Sequence, residues 1–214
     1  MSVIEQPGLF DEPSRSVPDP VARVVLLCGA SGSGKTSLTR RLGVPVLQLD
    51  DFYRDADHPD LPRRFGIVDW DDPRSWDAAA AMDAILDLAA NGRAEVPVYD
   101  IPTSKRTGTT HLDLLGMDIV IAEGIFAAEL VGACHRAGVL ADAVCLTTPP
   151  RVTFWRRLLR DLSESRKPPL TLIRRGLALM RDEPELIRRW TTGGCRPLSV
   201  ANAEAAIEAL LRRS

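Results

Sequence analysis

A three-layer α/β/α fold around a central parallel sheet is predicted from two observations. Four short apolar runs, at 23–28, 44–49, 117–122 and 141–146, have the nearly continuous, β-branched character of strands buried on both faces, and stretches of helical spacing separate them. The first run leads directly into a glycine-rich octapeptide that opens one of those helical stretches. A chain of 214 residues suits one such domain and leaves no room for a second of ordinary size.

Residues 1–21 carry acids and several prolines but no basic segment followed by an apolar one, so they read as a flexible or loosely docked arm rather than a signal peptide. The domain proper then spans 22–214. The run 23–28 is the expected central strand, and 35–42 the helix that follows it. Between the second and third runs, 76–91 places Ala78, Ala79, Met82, Ile85, Leu86 and Leu88 at helical spacing before Gly92 stops it, with Ser75 or Asp77 as N-cap. The stretch 95–101 looks extended and leads into a polar loop, 102–110, at the tip of a small β insertion; Pro97 argues for an edge position. Pro149 and Pro150 start an arginine-rich helix running to about 163, Lys167-Pro168-Pro169 breaks the chain, and another helix starts near 170. The last helix covers roughly 199–213.

Hydrophobic residues make up 45% and charged residues 26%, with a formal charge of −2, which lacks the basic excess of a nucleic-acid binder. No apolar run is long enough to span a bilayer. Small molecules are the expected partners, with no membrane; a homo-oligomer is compatible with this reading. Cys28, Cys134, Cys145 and Cys195 form no CxxC pair, which fits reduced thiols in a cytosol and gives them no catalytic role.

The octapeptide Gly29-Ala30-Ser31-Gly32-Ser33-Gly34-Lys35-Thr36 matches GxxxxGK[ST] between a predicted strand and a predicted helix. Its glycines let the backbone curl so that successive N–H groups point at phosphate oxygens, and the helix N-terminus adds its positive end. Lys35 would reach the β- and γ-phosphates, and the Thr36 hydroxyl can ligate Mg²⁺. The expected fold is therefore a P-loop NTPase fold binding ATP with Mg²⁺.

Asp50 and Asp51 follow the second strand at the carboxyl edge where open α/β sheets place their ligands. One of the two could take the proton of an acceptor hydroxyl and aim its oxygen at the γ-phosphorus; the pair also suits a turn or helix cap. Glu123, ending the third strand on the same edge, has the place of a carboxylate that holds Mg²⁺ directly or through water. Arg156, Arg157, Arg160, Arg166 and Lys167 suit either a helical lid over ATP or a solvated face. Trp70 and Trp76, set among acids, could pack the helix start onto the sheet or touch a ligand.

These residues together resemble the uridine kinase family of P-loop kinases. The likeness rests on Asp50-Asp51-Phe52-Tyr53-Arg54, Asp71-Asp72-Pro73 with Trp76-Asp77, Val96-Pro97-Val98-Tyr99-Asp100, Ile119 to Ile125 and Arg156 to Asp161. Phosphoribulokinases and nicotinamide riboside kinases share parts of the pattern. The resemblance implies Asp50 as catalytic base, Lys35 and Thr36 serving ATP and Mg²⁺, and Glu123 helping to hold the metal. It implies Arg157 and Arg160 as lid residues near the phosphates, and Tyr53 and Tyr99 as lining of the substrate pocket. The reaction implied is transfer of the ATP γ-phosphate to the 5′-hydroxyl of uridine or cytidine.

Family members that use pyrimidine nucleosides tend to carry an aromatic residue and then a histidine on the base after the Tyr99-Asp100 equivalents. Here Ile101 and Ser104 occupy those substrate-side positions. Losing a stacking ring and an imidazole removes interactions that discriminate bases. A kinase for another small alcohol, such as nicotinamide riboside, pantothenate, a sugar or a sugar phosphate, is the alternative. A nucleotide-dependent regulatory protein that transfers nothing is the third reading.

Overall fold

The computed structural model describes residues 16–64, 67–149, 151–153, 155, 181 and 183–213. Its centre is a five-stranded sheet in the order β2-β7-β1-β8-β9, parallel throughout. The strands are β1 (Arg23–Gly29), β2 (Val46–Gln48), β7 (Ile119–Glu123), β8 (Leu140–Leu146) and β9 (Arg196–Leu198). Period-two alternation on β1 divides the core: Val24, Leu26 and Cys28 enter one apolar cluster, Val25 and Leu27 the other. Helices α2 (Ala78–Asn91) and α3 (Val131–Ala137) pack on the first face. The other face is covered by α1 (Lys35–Leu42) and the last helix, here α5 (Val200–Leu211), with Leu38, Ala203 and Ile207 among its buried residues. A further helical stretch at 183–192 (α4) brings Trp190 into the first cluster. The three-layer architecture follows because a sheet this apolar must be covered on both sides.

All four strands expected from their apolar runs form, within a few residues of the expected ends. β9 was not foreseen. It has three residues, one of them Pro197, and pairs with β8 only from the sheet edge, where a missing N–H is tolerated.

The insertion differs from the expected polar loop at 102–110. It is a long hairpin of β5 (Arg93–Asp100) and β6 (Lys105–Asp113), with Pro97 opposite Thr109 and a turn over only 101–104. The polar segment forms a strand because its backbone pairs with β5 while its side chains stay largely exposed, so no apolar alternation marks it. Two short strands, β3 (Arg63–Arg64) and β4 (Ile67–Val68), pair separately.

Asp77, not Ser75, caps α2 by accepting the Ala80 N–H at 3.1 Å, while the Ser75 hydroxyl donates to the Asp72 carbonyl at 2.7 Å. Within the segment expected as an arm, Val17 is buried and donates its N–H to the Ala137 carbonyl at 3.1 Å. Among the described residues no helix is long and apolar enough to cross a membrane.

Candidate active site

Strand register brings the chemistry to one edge. Leu27 of β1 and Gln48 of β2 both pair with Glu123 of β7, so the loop after β1, the turn after β2 and the last residue of β7 leave the sheet side by side. They bound a cleft of about 640 Å³ whose walls include Lys35, Thr36, Asp50 and Glu123.

The octapeptide wraps tightly beneath this cleft. Gly32 and Gly34 adopt φ of 83° and 104°, which side chains disfavour, and Gly34 is the N-cap of α1. A Cβ on Gly29 would lie 2.8 Å from Ser33 Oγ and 3.2 Å from Leu146 Cβ. Lys35 Nζ donates to the Gly29 carbonyl at 2.8 Å, and the Thr148 hydroxyl donates to the Ser33 carbonyl at 2.9 Å. Ala30 and Ser31 complete the curl, whose inward N–H groups and α1 N-terminus are suited to an anion.

The Thr36 hydroxyl donates to Glu123 Oε1 at 3.3 Å. Glu123 is 5% exposed, and its Oε2 has no hydrogen-bond partner among the described residues. A buried carboxylate oxygen left unpaired beside a hydroxyl is a costly arrangement that a cation relieves. No group of three or more His, Cys, Asp or Glu that could hold a metal occurs among the described residues. A hydroxyl beside a carboxylate suits Mg²⁺, which takes few protein oxygens and fills its shell from water and phosphate.

Asp50 and Asp51 lie on a 3₁₀ turn, Leu49–Phe52, and diverge. Asp50 keeps an accessible carboxylate on the cleft wall, and its pKa is raised because the surrounding walls remove hydration, with the Lys35 ammonium pulling the other way. Asp51 turns to the hairpin, where Oδ1 accepts the Tyr99 N–H at 3.4 Å; its pKa too is raised by desolvation. Two contacts hold the turn. The buried Trp76 donates its indole N–H to the Leu49 carbonyl at 2.8 Å, and Gly124 lets Leu49 approach so closely that a Cβ there would meet Leu49 Cβ at 2.7 Å.

Beside the turn lies an aromatic cluster. The Tyr53 ring sits 5.6 Å from Trp70, 5.9 Å from Tyr99 and 6.0 Å from Phe126, centroid to centroid. The Tyr53 hydroxyl donates to the Trp70 carbonyl and the Tyr99 hydroxyl to the Arg54 carbonyl, each at 3.2 Å. Burial, then the Asp50 and Asp71 charges, push the Tyr53 phenol well above the ordinary tyrosine range. Both phenols thus donate to backbone carbonyls, which fixes the two rings beside the turn. Trp76 is a core residue, its ring 5.5 Å from Phe126, whereas Trp70 is half-buried against Tyr53. Ile101 is exposed, and Ser104, at φ 52°, donates its hydroxyl to the Ile101 carbonyl at 3.3 Å, closing the hairpin turn.

Arg156, Arg157, Arg160, Arg166 and Lys167 lie outside the described residues. Sequence reasoning passed over Trp76 as a partner of Leu49, and over Arg41 and Val200, which line the cleft. Arg41 is held from α5 by both carboxylate oxygens of Glu204, at 2.7 and 2.9 Å, a packing of α1 on α5 that no local pattern announces. A glycine following the acid of a strand end was the visible signal for Gly124. All four cysteines are buried, Cys28 Sγ lying 3.7 Å from Cys195 Sγ.

Residues 24–167 match the model of the phosphoribulokinase / uridine kinase family. A uridine kinase of Macrococcus caseolyticus is 27% identical over 165 residues, covering 74% of this chain and 78% of the relative. One of Staphylococcus aureus is 29% identical over 169 residues, covering 74% and 77%. A solved structure from Silicibacter sp., provisionally described as a fructose transport system kinase, superposes with a TM-score of 0.59 at 19% identity, covering 88% of this chain and 89% of that one. This last likeness concerns the fold.

Proposed function

The chain belongs to the phosphoribulokinase / uridine kinase family and is an ATP-dependent kinase, and on that premise we propose that it phosphorylates the 5′-hydroxyl of uridine or cytidine. The observation that carries the catalytic part is the meeting of Lys35, Thr36, Asp50 and Glu123 on one cleft, with a buried Glu123 oxygen unpaired among the described residues. The pyrimidine nucleoside part is supported by the named relatives and by the aromatic cluster beside Asp50.

In this reading the octapeptide amides and Lys35 hold the β- and γ-phosphates, and Asp50 orients the acceptor hydroxyl. As the acceptor oxygen bonds to the γ-phosphorus, its proton passes to Asp50 and the bond to the β-phosphate bridging oxygen breaks, leaving ADP. Thr36 and Glu123 would hold Mg²⁺, which when bound offsets charge on the phosphate oxygens. Arg157 and Arg160 are proposed to close over the phosphates and exclude water. Positioning and electrostatics supply most of the acceleration, because this transition state asks for little covalent help.

Ile101 and Ser104 favour a second reading, another small alcohol as acceptor, because an exposed aliphatic and a serine engaged in its own turn offer a base neither stacking nor an imidazole. ADP release from Mg²⁺-ATP, measured with uridine, cytidine, nicotinamide riboside, pantothenate, common sugars and no acceptor, separates the two. Stimulation by uridine or cytidine is expected. Stimulation by another alcohol alone would transfer the assignment to that alcohol, and silence across the panel would favour a regulatory protein.

A further inference from the structure

We infer that Trp76 is a positioning residue for phosphoryl transfer, acting on Asp50 through the Leu49 carbonyl. The inference rests on the reading of Asp50 as the base. Trp76 is 1% exposed, and its indole N–H donates to Leu49, the residue before Asp50, at 2.8 Å. The bond spans 27 positions, so it belongs to the tertiary structure and not to the turn itself. Around it the backbones are laced together. Trp76 bridges Tyr53, Arg54 N–H donates to Ser75 O at 2.9 Å, and Asp77 N–H donates to Phe52 O at 2.9 Å. The start of α2 and the turn bearing Asp50 are therefore tied to each other by backbone pairing as well as by the indole.

The same indole packs on Phe126, three residues beyond Glu123. Gly124 lies under Leu49, with room for no Cβ. Leu49 is thus held at its carbonyl by Trp76 and met at its Cα and Cβ by Gly124 just past the end of β7. A 3₁₀ turn of four residues has few bonds of its own to set the direction of a carboxylate. Phosphoryl transfer is sensitive to the line between acceptor oxygen and γ-phosphorus, so a small rotation of the turn costs rate without touching the octapeptide. No ring nitrogen is needed for packing, since a phenyl group would also fill a core site; the N–H matters because it fixes one carbonyl.

The test is Trp76→Phe, which removes the donor and keeps a ring, made both in the native chain and in Asp50→Asn. ADP release from Mg²⁺-ATP is followed with the alcohol of the acceptor panel that stimulates the native chain most, so that failure of the pyrimidine nucleoside reading and failure of this inference are distinguishable. Trp76→Phe is expected to lower kcat about 10-fold and to leave the KM for ATP within about twofold. In Asp50→Asn it is expected to lower the residual rate no further, the mark of a residue that acts through another. Benzothienylalanine at position 76, with sulfur in place of N–H, is expected to repeat the loss at the full ring size if the phenylalanine variant folds poorly.

Full turnover in either folded variant overturns the inference. So does an equal loss in the Asp50→Asn background, or a KM for ATP that rises in step with the loss of kcat, since both mark a general structural defect. Normal turnover of Asp50→Asn alone overturns the base assignment and this inference with it.

Discussion

Thr36 and Glu123, 87 positions apart, meet where the Thr36 hydroxyl donates to Glu123 Oε1 at 3.3 Å, and the other carboxylate oxygen of Glu123 is buried without a partner among the described residues. Replacing that oxygen by an amide removes the negative charge and introduces two donors. Glu123→Gln is expected to raise the Mg²⁺ concentration needed for half-maximal ADP release by about 10-fold or more, while its circular dichroism stays native. An unchanged Mg²⁺ requirement would remove Glu123 from the metal site.

Asp50→Asn should reduce turnover by about 10²-fold or more and leave ATP binding, measured by calorimetry, nearly intact. The same variant carries a sign for stability. Because the cleft walls strip hydration from the accessible Asp50 carboxylate and raise its pKa, the native chain binds the proton more tightly than the unfolded one, and ionised Asp50 costs stability as pH rises through that range. Asp50→Asn should therefore melt higher than the native protein at pH 7.5, and the gap should shrink as pH falls toward the ordinary carboxylate range.

The raised pKa of Asp50 also predicts the pH profile of the reaction. A base must be ionised to accept the proton, so kcat/KM should fall on the acidic side at a pH above that of an ordinary aspartate. The acidic limb should be lost in Asp50→Asn, whose residual rate has no carboxylate to titrate.

Gly124→Ala places a Cβ 2.7 Å from Leu49 Cβ and 3.4 Å from Asp50 Oδ1. The overpacking is expected to cost about 1–3 kcal/mol in urea unfolding, and kcat should fall with it because the displaced group bears Asp50. Native stability in the alanine variant would show that the turn yields without strain.

Ser104 already sits at φ 52°, a conformation histidine enters more readily than most residues, so Ser104→His can be placed in this turn. Combined with Ile101→Tyr it restores the ring and imidazole that the resemblance associates with pyrimidine nucleosides. The double variant should lower the KM for uridine by about 10-fold, the worth of roughly one good hydrogen bond. No change would argue that the base does not lie against this turn.

By itself the sequence determined the elements whose signals are local. The octapeptide announces its own fold, since Gly32 and Gly34 stand where side chains are disfavoured and Lys35 and Thr36 open a helix at once. Apolar runs at 23–28 and 141–146 required a strand buried on both faces, and Asp50 and Glu123 followed such runs, which was enough to nominate both for one edge. Only the tertiary structure decided the rest. β6 forms because β5 lies beside it, and β9 because β8 offers an open edge; neither carries a period of its own. Apart from the resemblance, which singles out Asp50, the local pattern does not separate Asp50 from Asp51; in the structure one faces the cleft while the other accepts the Tyr99 N–H across 48 positions. The indole of Trp76 could have met solvent, ligand or core, and the contact that fixes it is a carbonyl 27 positions away. Contacts of that range depend on where the whole chain closes, because a hydrogen bond is made by atoms brought within 3 Å or so, whatever their separation along the backbone.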